Sequence, residues 1–403
     1  MELTIYMGLF LLGAAGLAVL KREGLLVKKE AIFLSMLLMA LAMVLRGLCM
    51  PHETLDYQNF LTVWVDFFRK NGGWSALKYS VGNYNVPYLY FLALFSYSSI
   101  PDLYLIKFLS IFFDLVMAWG MLRLVGLFRK HVGARLAAFF LTLLLPTVLL
   151  NGAYWGQCDS IYTAFSVWSV YFALSDRPVA SVAAIAAAFA FKLQAIFLMP
   201  VYLIFLFGKK IKWWQLGVFP LTYFIIVLPA ILTGRPAIDT VLLYLGQTGS
   251  VGGGLNYNSS SVFAFATAEM DPALWSRRGI AAAFLFLLLV YVCCYRRRKE
   301  LSRQTLLAVC VLICIGVPFF LPHMHDRYFF TADILSLALA FAVPGLFPLP
   351  GLVSFASLLG YHAYLKMRYL LPMRYGAAAL AAAMLLCAGY MALDFLRRSK
   401  RRA

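Results

Sequence analysis

Residues 51–90 read PHETLDYQNFLTVWVDFFRKNGGWSALKYSVGNYNVPYLY, directly after a strongly apolar run. The stretch sets Glu53, Asp56 and Asp66 beside Tyr57 and Trp64, in a chain with only 17 acidic residues. An apolar run that stops at mixed acids and aromatics reads as a membrane span reaching the headgroup layer, where an aromatic belt forms. Taken alone, the plainer reading is an amphipathic interfacial helix with solvated acids. The rest of the chain decides between that and a site.

Of 403 residues, 63% are hydrophobic and 13% charged, and the mean hydropathy is +0.83. That balance excludes a soluble domain and predicts an all-α polytopic membrane protein, a single transmembrane domain throughout. A net charge of +18 would suggest nucleic acid if the basic residues formed a patch. They cluster instead in short loops between apolar runs, the positive-inside pattern, so no nucleic-acid partner is expected. Cysteines 293, 294, 310, 314 and 387 lie within apolar runs and imply no disulfide framework. Residues 3–20 lack a basic leader and read as a retained span rather than a signal peptide.

Basic clusters at Lys21, Arg22, Lys28 and Lys29, at Arg129, Lys130 and Arg135, at Lys209, Lys210 and Lys212, and at 296–299 mark the cytoplasmic side. The tail 397–402 makes another. Placing them all inside gives roughly thirteen spans with the N-terminus outside. These are 3–20, 31–48, 104–127, 136–150, 160–174, 179–191, 196–207, 214–232, 279–295, 305–320, 329–343, 352–364 and 376–395. Several are shorter than the roughly 20 residues a perpendicular helix needs. Residues 179–207 are expected as two short helices breaking outward at 191–195, because one long helix would put Lys209 to Lys212 on the wrong side. Residues 86–99 are expected as a half-helix belonging to the first outer loop.

With that topology the polar residues reach one face. It receives the first outer loop, 50–103, with its helical segments; the second, NGAYWGQCDS at 151–160; and the break at Lys192 and Gln194. It also receives the long Gly- and Asn-rich loop 234–278, PHMHDRY at 322–328 and HAYLKMRY at 362–369. Polar side chains at a hydrocarbon boundary are expensive, so their convergence marks a site. Asp159 or Ser160 reads either as the N-cap of the next span or as part of that site. A cap explains neither Gln157 nor Trp155. Lys192 either snorkels or offers its charge to a phosphate, and neighbouring Gln194 favours the phosphate. At 323–327 phosphate contact by Arg327, with His323 or His325 as extra donor, ranks above a plain polar turn, and a metal ranks last. The run Gly252-Gly253-Gly254 precedes no phosphate-binding helix, so it reads as a flexible cover whose Gln247 and Asn256 touch a sugar.

One acid, several cations, amides and aromatics at the outer surface fit a sugar on a polyprenyl phosphate. Phosphate needs Lys or Arg, sugar hydroxyls need Asn and Gln, and the tail needs an apolar groove between spans. The chemistry then requires a base for the acceptor hydroxyl, here Asp56, with Asp66 and Glu53 as fallbacks, and cations for the leaving phosphate. One base with a good leaving group implies single displacement with inversion.

Several motifs carry a resemblance: D-Y-x-x-F-x-x-x-W-V-D at 56–66, G-G at 72–73, N-Y-N-x-P-Y at 83–88, N-G-A-x-W-G-Q-C-D-S-I-Y at 151–162, F-K-L-Q-A-I-F at 191–197 and P-H-M-H-D-R-Y at 322–328. Over about residues 31–343 the chain resembles a bacterial family of GT-C membrane glycosyltransferases, mannosyltransferases related to the second mannosyltransferase of GPI-anchor synthesis. The W-G-Q-x-D-S and K-x-Q pair is the specific part; an acid in the first outer loop is general to the superfamily. The resemblance implies a GT-C-like bundle, a catalytic acid at Asp56, second-loop residues Trp155, Gln157 and Asp159, and a polyprenyl-phosphate donor. Tyr84 and Asn85, in the N-Y-N-x-P-Y motif, join the expected binding set. Some superfamily members use Mg or Mn between acids of the two loops. No D-x-D pair stands at Asp56, so a divalent metal is not favoured and no cofactor is required. The final motif reads H-D-R-Y where relatives usually carry H-E-R-Y.

The expected setting is therefore the bacterial cytoplasmic membrane, with an extracytoplasmic site and a glycan, lipid or protein acceptor. A transporter or flippase of a lipid-linked sugar is the alternative, although no internal repeat is visible. A polymerase or ligase of surface glycans would share the site chemistry. Asp56 beside Trp155 and Gln157 favours transfer; Asp56 on a path open to both faces favours transport.

Overall fold

A computed structural model describes residues 2–247 and 252–400. The backbone is helical almost throughout, and its only strands among the described residues are the two-residue pieces Asn256–Tyr257 and Met324–His325. Between their ends, apolar helices satisfy backbone N–H and C=O groups internally, which is what a hydrocarbon environment demands. Their starts are written in the sequence. Asn85 accepts from the N–H of Val86 ahead of Pro87, Asp271 accepts from Ala273 and Leu274 ahead of Pro272, and Ser302 accepts from Thr305.

Among the described residues, eight helices are long and apolar enough to cross a membrane, or up to nine if a bent pair is one span. They include Lys29–Cys49, Asp102–Gly126, Pro272–Arg296 and Arg303–Phe320. The bent pair, Val132–Leu144 with Pro146–Trp155, turns by 45°. Every expected span coincides with helical backbone or a helical turn, but roughly thirteen full crossings are not what the lengths support. Phe330–Ala342 has 13 residues, about 20 Å at 1.5 Å per residue against a core of about 30 Å. Pro178–Phe191 has 14 residues and the expected 196–207 span is a 3₁₀ turn, Leu193–Phe197, followed by Val201–Phe207. A break in the helix between 191 and 201 is therefore present. Val86–Phe95 has 10 residues, matching the expected half-helix.

By packing, the chain forms two compact units: Met1–Trp168 with Ala183–Leu193 and Val218–Thr248, and Ser169–Val182 with Gln194–Gly217 and Gly249–Ala403. In the first, Leu9, Met39, Met43, Ile111, Leu115, Phe139 and Leu143 belong to one core shared by helices Glu2–Arg22, Lys29–Cys49, Asp102–Gly126 and Val132–Leu144. In the second, Arg303–Phe320 is the most enclosed candidate span, 83% buried. There the two short strands pair in parallel, Asn256 opposite Met324 and Tyr257 opposite His325. They press on Gly360, where a Cβ would meet the carbonyl oxygens of Asn258 and Asp326 at 2.8 and 2.9 Å.

Candidate functional site

The helix Lys29–Cys49 ends just before Asp56, which opens a π-helical turn, Tyr57–Leu61, leading into the amphipathic helix Thr62–Lys70. A second π-helical turn, Leu150–Trp155, closes on Gly156 in the left-handed region (φ 79°). Such turns re-aim side chains and recur at functional sites. Between them lies a short polar bridge. Trp155 Nε1 donates to Asp56 Oδ2 at 2.9 Å, and Gln157 Nε2 donates to the same oxygen at 2.5 Å. Tyr84 OH donates to Gln157 Oε1 at 3.2 Å. Trp155 is wholly buried and Gln157 nearly so, whereas Asp56 is half-buried. Two donors fixed by burial thus orient a carboxylate that keeps access to its surroundings.

Backbone ties hold the same two segments together. Thr54 Oγ1 donates to Trp155 O at 3.0 Å, and the His52 ring stacks on Tyr154 at 3.8 Å. The fallback acids lie elsewhere: Glu53 accepts from Gln58 at 3.0 Å on the exposed side, and Asp66 pairs with Arg69 in the open. Burial pushes the Tyr57 phenol up to about 12, and its hydroxyl donates to Asp102 Oδ1 at 3.2 Å.

Asp159 and Lys192 form a buried ion pair, their side chains 2% and 6% exposed. Asn151 Nδ2 donates to the other Asp159 oxygen at 2.7 Å, and the Lys192 ammonium sits 5.2 Å from the Tyr84 ring centre. The Lys192 charge already has a carboxylate partner in a dry setting, where paired ions satisfy each other. Asn85 is fully buried: its amide donates to Ala190 O and Tyr223 OH, and its oxygen caps Val86.

In the second unit, Asn256 folds onto its own turn, accepting from the N–H of Ser259 and donating to its carbonyl, both at 2.9 Å, and it stays half-buried. His323 bridges Ser276 Oγ at 3.0 Å and Gly254 O at 2.7 Å, and His325 stacks on Tyr257 at 4.8 Å. Arg327 lies 3.6 Å from the carboxylate of Asp326. Gln194 Oε1 is buried without a hydrogen-bond partner among the described residues. The side chain of Gln247 lies outside the described residues. Among the described residues no three His, Cys, Asp or Glu side chains gather as metal ligands.

The sequence reading passed over the residues beneath the bridge. Arg46 pairs with Asp114 at 2.8 Å, both fully buried, and Ser160 Oγ donates to Asp114 at 2.5 Å. Lys107, also fully buried, donates to the carbonyls of Cys49, Met50 and His52. The signal was available: Arg46, Lys107 and Asp114 are ionisable residues inside expected spans, rare positions that mark polar networks.

Fold and site together define an all-α, multi-pass membrane protein with a polar bridge built on Asp56. No protein-family model matches the chain, and no curated protein is detectably similar to it in sequence.

Proposed function

We propose that the protein is a glycosyltransferase of the polyprenyl-phosphate-dependent kind, with a GT-C-like bundle in the bacterial cytoplasmic membrane and its site on the extracytoplasmic side. It moves a hexose, mannose by the resemblance, to an acceptor hydroxyl. In this reading Asp56 takes the hydroxyl proton as the acceptor oxygen attacks the anomeric carbon. The bond from that carbon to the phosphate oxygen breaks, its electron pair leaves with the phosphate, and configuration inverts.

One observation carries the reading: of the four acids in the first loop, Glu53, Asp56, Asp66 and Asp102, Asp56 is the one bound by both Trp155 and Gln157, at 2.9 and 2.5 Å. A base held in one orientation by buried donors is pre-placed for its proton. Lys192, already paired with Asp159, is a weaker cation for the leaving phosphate than the sequence alone suggests.

The test incubates purified protein with a panel of polyprenyl-phosphate sugars and acceptors. Wild-type protein transfers sugar from at least one donor, and Asp56→Asn loses about 10²–10⁴ in rate, the usual share of a general base, while melting as wild type does. Full turnover in Asp56→Asn overturns the assignment of the base. No transfer from any donor, with passage of the lipid-linked sugar across proteoliposomes, replaces the reading with transport.

A further inference from the structure

The helix Asp102–Gly126 carries Lys107, Ser110 and Asp114 at spacings of three and four residues, hence on one face. Each reaches a different part of the frame around Asp56. The Lys107 ammonium has three N–H groups, and the three carbonyls it meets are Cys49 O at 2.8 Å, Met50 O at 3.1 Å and His52 O at 2.5 Å. Ser110 Oγ donates to Gln157 O at 2.7 Å. Asp114 accepts from Ser160 at 2.5 Å and pairs with Arg46 at 2.8 Å.

The Lys107 contacts are unusual for a buried cation. It is met by carbonyl oxygens at the C-terminal end of Lys29–Cys49 and just beyond, where the carbonyls lack intrahelical partners and the helix dipole is negative. The chain leaves that clamp at His52 and reaches Asp56 four residues later, pinned on the way by the His52–Tyr154 stack and the Thr54–Trp155 bond. From the other side Ser110 pins the backbone of Gln157, whose side chain holds the Asp56 carboxylate. One helix face therefore fixes both ends of the Asp56 to Gln157 bridge.

We propose that Lys107 is a positioning residue: through the carbonyls of Cys49, Met50 and His52 it sets where Asp56 stands against Trp155 and Gln157. The catalytic consequence rests on the reading of Asp56 as the base; the positioning itself does not.

The test has two arms. Amide hydrogen exchange is compared in wild type, Lys107→Met, Lys107→Gln and Lys107→Arg. Lys107→Met speeds exchange across residues 50–61 and 151–158 about tenfold or more and leaves the rest of the chain as in wild type. Lys107→Arg, which keeps charge and donors, restores most of the protection. Unchanged exchange in those segments, or a rise along the whole chain, overturns the proposal. If Lys107→Met does not fold, Lys107→Gln decides by the same criterion, because it keeps amide donors and loses the charge. In the second arm, transfer by Lys107→Met falls about 100-fold in kcat, the scale of a 1 Å misplacement, with donor KM within about twofold. Local loosening with kcat unchanged overturns Asp56 as the base but leaves the positioning intact; unchanged exchange overturns the positioning alone.

Discussion

Asp159 and Lys192 show how a residue's surroundings set its role. Either side chain alone suits a substrate phosphate or a sugar hydroxyl. Together, 2% and 6% exposed, they neutralise each other, with Asn151 completing the carboxylate. Breaking a buried pair strands an unpaired charge, which costs about 3–5 kcal/mol, whereas apolar replacement of both partners is often neutral or favourable. We predict that Asp159→Asn and Lys192→Met each lower stability by about that amount, and that Asp159→Leu/Lys192→Met recovers most of it. Thermal unfolding in detergent measures this. Near-wild-type melting of both single variants would show that the pair does not act as a structural tie.

At the scale of elements, two departures from regular helix make the site: the π-helical turns Tyr57–Leu61 and Leu150–Trp155. The loop after the first depends on a close approach at Gly82. Its φ is +63°, and a Cβ there would meet the Trp64 ring at 2.4 Å. Trp64 in turn packs edge-on against Tyr84 at 5.4 Å, and Tyr84 bonds Gln157. Gly82→Ala is expected to cost about 1–2 kcal/mol from the left-handed backbone alone, with a further cost from displacing the ring. A shift in tryptophan emission together with a lower melting temperature is the expected result. Unaltered emission and melting would mean that the ring contact does not order this loop. None of this was legible in residues 51–90, because π-turns and ring stacking have no spacing signature. The amphipathic character of Thr62–Lys70 was legible, since a helix repeats every 3.6 residues.

For the molecule as a whole, the distribution of charge sets orientation. In the second unit Asp176 bonds Lys210 at 2.7 Å and Arg303 at 3.2 Å. The turn at 175–177 therefore shares a side with the basic loop at 209–212, as the charge rule requires. The hydrogen bond from Lys210 holds the Asp176 carboxyl below its ordinary range, with Arg303 adding to it and burial opposing. A depressed folded pKa contributes stability that is complete above the unfolded value of about 4 and is lost as pH falls through the folded value. Asp176→Asn should accordingly melt slightly below wild type at pH 7, with the gap closing below about pH 4 and shrinking in salt. A gap that persists at pH 3 would discount the ion pair as its source.

The sequence by itself determined that this chain lives in a membrane, which apolar segments become helices and where 179–207 breaks. Those properties follow from local hydropathy, charge and capping, which act over a few residues. Tertiary structure alone decided what the polar residues do. It paired Lys192 with Asp159, turned Asn85 inward, tied Asn256 to Ser259, joined Asp56 to Trp155 and Gln157 across about a hundred residues, and set Lys107 beneath them. The reason is physical: a buried polar atom must find a partner, and which partner reaches it depends on how the helices pack rather than on its neighbours in sequence.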